Sequence, residues 1–222
     1  TPPSAARDSA PPPARGELLD GKYELVRAVA EGGLGQVFEA RHVVIGHRVA
    51  VKMIRRALSR DPEMSARFLL EARAAGAIEH PGCIKVVDFG VSPDGRAYLV
   101  MEYLDGENLA ERIRRESRLP VAAASGIVWD VLDVLAATHA KGIVHRDLKP
   151  ENVFLSVRAG YPPQVKLLDF GIARLNQDSP GGERLTSPGV ALGSPHFMSP
   201  EQVAGRSDVD ARADIYSAGA VL

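Results

Sequence analysis

The sequence predicts an α+β protein of two lobes, a five-stranded antiparallel sheet with one helix followed by a mainly helical lobe. Apolar and polar residues alternate in three runs within residues 23–53, the period of half-buried strands, and two more strands, joined by a turn, are expected within residues 84–103. One stretch of helical spacing at residues 62–78 interrupts them, and helical spacing dominates after Asp105-Gly106. That order places the lobes at about residues 21–103 and 107–222.

Residues 1–20 read as a disordered Pro/Ala-rich tail or linker. Residues 1–16 hold five prolines, no aromatic residue and almost nothing large and apolar, too little to offset the entropy of ordering. Strands follow at 23–30, 36–41 and 47–53, separated by a glycine-rich turn and a turn at Gly46. Asp61-Pro62 then supplies a helix cap and a first-turn proline. Met64, Phe68, Ala75 and Ile78 recur at helical spacing until His80-Pro81-Gly82 ends the helix. Glu71 lies on that apolar stripe, where a carboxylate is costly unless a cation meets it. Strands at 84–91 and 97–103, joined by the Ser92-Pro93-Asp94-Gly95 turn, complete the first lobe.

In the second lobe, residues 108–115 form a short polar helix, and residues 121–141 a long one with Val128, Val131, Leu135 and Thr138 on one face. Short strands at 153–156 and 165–168 flank an insertion containing Gly160 and Pro162-Pro163. The loop at 171–200 has the length of functional or disordered loops. Residues 210–222 begin an apolar helix whose Ile215, Ala218 and Leu222 need partners.

Composition narrows the function classes. With 27 basic and 28 acidic residues the net charge is -1, so the field that gathers nucleic acid or anionic lipid is missing. Cys83 is alone and set among apolar residues, which fits a core position in a reduced compartment better than a catalytic thiol. The sequence contains no run of 18 apolar residues and no charged start leading into a hydrophobic segment. The expected compartment is the cytoplasm, and a membrane-anchored parent would hold this domain in the cytosol. The first residue is Thr1 and the last, Leu222, falls inside an apolar helical pattern, so both ends are expected to be cut from something longer.

The densest chemistry lies at residues 143–152, Ile-Val-His-Arg-Asp-Leu-Lys-Pro-Glu-Asn. Asp147, Lys149 and Asn152 offer a proton acceptor, a phosphate partner and a metal ligand, which phosphoryl transfer needs besides nucleotide and metal. Gly32, Gly33 and Gly35 stand at the turn of the first two strands, where bare backbone amides can cover phosphate oxygens. Ala30 occupies the first glycine position of a full G-x-G-x-x-G. Lys52, in Val49-Ala50-Val51-Lys52, points from its strand either to solvent or into a cleft, and Glu71 is a buried acid in need of a cation; pairing solves both problems. Asp169-Phe170-Gly171 follows Asp147 by 22 residues, where an aspartate could hold magnesium against phosphates. The same tripeptide at Asp88-Phe89-Gly90 looks structural, at a strand end before a turn.

Together with Gly193-Ser194-Pro195-His196-Phe197-Met198-Ser199-Pro200-Glu201, these motifs resemble the eukaryotic-like, or Hanks-type, serine/threonine protein kinases of the bacterial type. The resemblance extends from about Tyr23 to Leu222, over six motifs in the family's order. It implies a bilobal protein kinase fold with an incomplete C-lobe, and transfer of the γ-phosphoryl group of Mg-ATP to Ser/Thr hydroxyls of proteins. Asp147 would orient and deprotonate the hydroxyl, Lys149 would neutralise the transferring group, and Asn152 and Asp169 would hold Mg2+. Lys52 would contact the α- and β-phosphates, with Glu71 keeping it in place. Val37 and Ala50 would line the adenine pocket, Met101 would close its back, and Glu102 and Tyr103 would meet the base through their backbone.

The resemblance further implies that Arg146 reports control by activation-loop phosphorylation, with Thr186 the first site and Ser187 the second. Self-association for phosphorylation in trans is the accompanying partner expectation. Asp214 resembles the helix aspartate that braces the catalytic loop, and the arginine that pairs with the glutamate standing at Glu201 is not in this sequence. A pseudokinase or docking module is the competing reading. Retention of Lys52, Asp147, Asn152 and Asp169 favours the enzyme, while a third reading is that the isolated fragment, with its C-lobe incomplete, exposes apolar surface, folds poorly and is inactive even though its parent is not.

Overall fold

The computed structural model describes residues 15–169 and 195–222. They form two compact units: residues 15–69 with 86–103, and residues 70–85 with 104–169 and 195–222. Each is described by itself.

Unit 1 is built on one antiparallel sheet of six strands: β1 (Leu18–Leu19), β2 (Tyr23–Glu31), β3 (Gly35–His42), β4 (Arg48–Ile54), β5 (Val86–Val91) and β6 (Ala97–Glu102), in the order β1-β2-β3-β4-β6-β5. Five were expected. The sixth, β1, lies inside the stretch read as a disordered tail, where Leu18 and Leu19 pair with Glu24 and Tyr23 and Leu19 is fully buried. A two-residue strand is too short to show a period, which is why the alternation missed it. A short helix α1 (Arg56–Ser59) precedes α2 (Pro62–Ala77). α2 begins as its cap residues predict, with the Asp61 carboxylate accepting the Glu63 N–H at 2.9 Å.

The sheet curls until its ends are joined by side chains. β1 and β5 are at opposite ends of the strand order, yet the Tyr98 hydroxyl of β6 donates to Asp20, just after β1, at 2.5 Å. The Tyr23 hydroxyl of β2 likewise donates to Asp88 of β5 at 3.0 Å, with Lys22 3.5 Å from the same carboxylate. Asp88-Phe89-Gly90 is therefore part of a strand and of this closure, in agreement with its structural reading. Inside the curl lie Leu19, Tyr23, Leu25, Phe38, Ala40, Val49, Val51, Met53, Tyr98 and Val100. Burial, the hydrogen bond to Asp88 and that carboxylate's charge push the Tyr23 hydroxyl up to about 12, so both phenols are neutral donors at ordinary pH.

Gly90 allows this closure. A Cβ there would stand 2.3 Å from the Tyr98 hydroxyl and 2.8 Å from an Asp20 oxygen. Gly90→Ala is expected to destabilise unit 1 by about 1–3 kcal/mol, the usual range for forcing extra volume into a packed site, read as a lower midpoint in urea denaturation.

Unit 2 holds a three-stranded sheet of β7 (Gly106–Asn108), β8 (Val153–Ser156) and β9 (Gln164–Leu167), with helices α3 (Leu109–Glu116), α4 (Val121–His139), α5 (Pro200–Val203) and α6 (Ala211–Val221). β7 was not expected, because three polar or glycine residues carry no strand signal; it leads into α3 through a capping box between Asn108 and Glu111. By length and composition α4 could cross a membrane. Its Val128, Val131, Val134, Leu135 and Thr138 are buried, and it packs against α6 and β9.

Candidate active site

In unit 1 the turn between β2 and β3 is Gly32-Gly33-Leu34, closed by the Gly32 N–H donating to the Gly35 carbonyl at 2.8 Å. Arg55 tethers it, donating to the Gly32 carbonyl at 3.0 Å and to Glu31 at 3.1 Å. Gly35 is required by close approach: a Cβ there would lie 2.0 Å from the Met53 carbonyl oxygen on β4. Beyond the turn, the strand register sets which side chains are neighbours. Val37 stands opposite Lys52, Lys52 opposite Leu99, and Ala50 opposite Met101. Opposed residues share a face and the side-chain period is two, so Val37, Ala50, Lys52 and Met101 lie on one face. Phe38, Val51 and Val100 occupy the other, inside the curl. Lys52 is only 7% exposed, an unusual place for an ammonium, and its Nζ lies 6.0 Å from the Phe68 ring centroid.

Unit 2 carries the other half of the expected residues. Asp147 accepts from the Lys149 ammonium at 2.9 Å, and the Asn152 side-chain amide donates to the Asp147 carbonyl at 2.7 Å and to its carboxylate at 3.3 Å. The three expected groups therefore meet. Pro150–Asn152 form a 3-10 turn leading into β8, which holds Asn152 almost fully buried. Leu168 N–H donates to the Asn152 carbonyl at 2.9 Å, and the Leu168 carbonyl accepts from His145 Nε2 at 3.0 Å. Both polar groups of Leu168 are thus held by the loop, which sets Asp169 one residue beyond.

The backbone here is held in a costly conformation. Arg146 has φ 63° and Asp169 φ 47°, two of the four non-glycine residues with positive φ among the described residues. Asp214, fully buried on α6, holds the first of them. Its Oδ2 accepts the His145 N–H at 2.8 Å and its Oδ1 the Arg146 N–H at 2.8 Å. His139, the last residue of α4, meets Oδ2 at 2.7 Å. Gln202 of α5 donates to the Arg146 carbonyl at 2.8 Å, and the Arg146 guanidinium donates to the Val209 carbonyl at 3.2 Å. Sequence reasoning saw Asp214 but missed His139 and Gln202; a polar residue at the end of an apolar helix was the one signal for His139.

His145 is fully buried, and burial holds its imidazole below the ordinary value of 6.5 even though Asp214, Asp147 and Asp169 pull the other way. With Nε2 on a carbonyl and Nδ1 accepting the Asp147 N–H at 3.3 Å, the neutral Nε2–H tautomer is the one that fits. Its folded value lies below the unfolded one, so it contributes stability above pH 6.5 that is lost as the pH falls below. Thermal unfolding between pH 7 and 5 should show acid destabilisation, up to about 1.4 kcal/mol per pH unit from this group, and His145→Gln should flatten the slope.

Glu71 of α2 belongs to unit 2 and is 6% exposed. Glu102 and Tyr103 end unit 1 and are half-buried. Thr186 and Ser187 lie outside the described residues. As a test of fit to Mg2+, the donor chemistry is suitable: Asp169 brings a carboxylate and Asn152 an amide oxygen whose nitrogen is already engaged by Asp147. Magnesium is commonly held by one or two such oxygens together with substrate phosphates.

The protein kinase domain family matches residues 23–222. The serine/threonine-protein kinase pkn3 of Myxococcus xanthus is 41% identical over 207 residues, covering 93% of this chain and 38% of the relative. Pkn1 of the same organism is 44% identical over 201 residues, covering 90% and 28%. PknA of Mycobacterium tuberculosis is 40% identical over 213 residues, covering 94% and 47%. The chain thus spans between about a quarter and a half of the length of these relatives. Among solved structures, the kinase domain of Mycobacterium tuberculosis PknI superposes with a TM-score of 0.71 at 29% identity, covering 92% of this chain and 73% of that one.

Proposed function

Because this chain belongs to the protein kinase family, we propose that it transfers the γ-phosphoryl group of ATP to serine or threonine hydroxyls of proteins, with Asp147 as the proton acceptor. The observation that carries the reading is the convergence of Lys149 and Asn152 on Asp147, on a backbone braced by Asp214. Asp147 accepts the hydroxyl proton and orients the oxygen, while Lys149, 2.9 Å from Asp147, brings positive charge to where the transferring phosphoryl group passes.

Asn152 and Asp169 would hold Mg2+, which when bound neutralises phosphate charge. The glycine-rich turn, with Gly32 and Gly35 shaping it around Gly33, offers backbone to the phosphates, and Lys52 meets them. Val37, Ala50 and Met101 supply apolar surface for the base, and Glu102 and Tyr103 its backbone hydrogen bonds. Arg146 receives a phosphate placed on Thr186 or Ser187, by transfer between copies of the chain.

The test is incubation of the chain with γ-labelled ATP, Mg2+ and a general protein substrate, followed by separation of phosphoamino acids and mass spectrometry of the chain itself. Label on serine or threonine supports the reading, and label at Thr186 or Ser187 supports the regulatory part. Nucleotide binding with no label on any protein would leave a binding module instead.

A further inference from the structure

Tyr103, the last residue of unit 1, is held by a group of charges that no step above uses. The Arg48 guanidinium lies 4.0 Å from the Tyr103 ring centroid. Arg27 donates to the Tyr103 hydroxyl at 3.3 Å, and that hydroxyl reaches Glu39 at 3.5 Å. The Glu39 side chain, only 14% exposed, pairs with Arg27 at 2.8 Å and Arg48 at 3.3 Å. One sheltered carboxylate thus gathers two guanidiniums around one ring. The sheet register brings them together. Glu39 stands opposite both Arg27 on β2 and Ala50 on β4, and Arg48 precedes Ala50 by one side-chain period. The cluster therefore continues the face that carries Val37, Ala50, Lys52 and Met101.

We propose that Arg48, held by Glu39 with Arg27, is a positioning residue for nucleotide binding: stacked on Tyr103, it fixes the Glu102–Tyr103 backbone that meets the base. The inference rests on the kinase reading, because only there does this backbone bind adenine. A guanidinium over an aromatic face holds the ring in one rotamer, and the Glu39 carboxylate holds the guanidinium. The peptide to which the ring is attached is then ordered before the ligand arrives, and that ordering is no longer subtracted from the binding free energy. The effect belongs to nucleotide affinity. The chemical step at Asp147 does not use it.

The experiment measures binding of a fluorescent ATP analogue with Mg2+, the KM for ATP, kcat and the melting temperature on the full chain. Arg48→Ala is expected to weaken nucleotide binding and raise the KM for ATP about two- to fivefold, with kcat unchanged, as an exposed cation–π contact would. Arg48→Lys keeps a cation near the ring without the planar guanidinium that stacks on it and reaches Glu39, and should fall between. Unchanged nucleotide affinity in Arg48→Ala, whatever its melting temperature, overturns the inference, as does a loss confined to kcat. A Lys52→Ala control separates the two levels. If the parent binds no nucleotide, or binds it as well without Lys52, the kinase reading fails and takes this inference with it; if binding depends on Lys52 and not on Arg48, only this inference fails.

Discussion

Asp214→Ala is expected to lower the rate of phosphoryl transfer by about two to three orders of magnitude, and to do so without touching a residue that meets substrate. Asp214 is fully buried and its two oxygens accept from His145 N–H, Arg146 N–H and His139. Removing it leaves buried donors without an acceptor, a loss of about 3–5 kcal/mol by comparison with other broken buried charge networks. Arg146 sits at φ 63°, a conformation that costs an ordinary side chain about 1–2 kcal/mol and persists while something holds it. Freed of Asp214, the backbone next to Asp147 relaxes, and each 1.4 kcal/mol of lost positioning is about a factor of ten in rate. Steady-state kcat and the melting temperature of the variant check this. Asp214→Asn, which retains an acceptor oxygen, should lose less, and a normal kcat in Asp214→Ala would refute the bracing role.

Asp147→Asn is expected to lower kcat by about 10²–10⁴, the usual range for a positioned general base. The carboxylate faces two donors, the Lys149 ammonium at 2.9 Å and the Asn152 amide at 3.3 Å. An asparagine amide group turned toward them would set donor against donor, and turned away it would present its oxygen with no ability to take a proton. The fold should survive, because the Asn152 side-chain amide also donates to the Asp147 backbone carbonyl, and that bond is unaffected. The loss should therefore appear in kcat with little change in melting temperature.

How far the fold could be read from sequence depended on the length of each pattern. β2, β3 and β4 are long enough for alternation to declare them, β5 and β6 show as the runs on either side of the Ser92-Pro93-Asp94-Gly95 turn, and α2 announced itself through Asp61-Pro62 and an apolar stripe. β1 and β7, of two and three residues, carried no period to find. The closure of the first sheet was equally hidden. Tyr98 and Asp20 are 78 residues apart, and a pairing over that separation leaves no mark on local composition.

The site divides the same way. Asp147, Lys149 and Asn152 are close in sequence, so their meeting was legible before any coordinates. The support was not. His139 and Gln202 approach the loop from α4 and α5, and nothing about either residue singles it out until Asp214 and the Arg146 carbonyl are in place. Arg48 resembles any charged residue at a strand start. Only the register, which sets it beside Glu39 and Tyr103, gives it a task.

The central claim is that Asp147 serves the transfer of phosphate and not the holding of nucleotide. The direct measurement is a single-turnover transfer rate from γ-labelled ATP for the parent chain and Asp147→Asn, with nucleotide affinity measured on the same samples. The expected result is equal affinity, within about twofold, and a transfer rate reduced at least a hundredfold in the variant. A variant that transfers phosphate at the parent's rate, or that loses nucleotide binding and transfer in equal proportion, would contradict it.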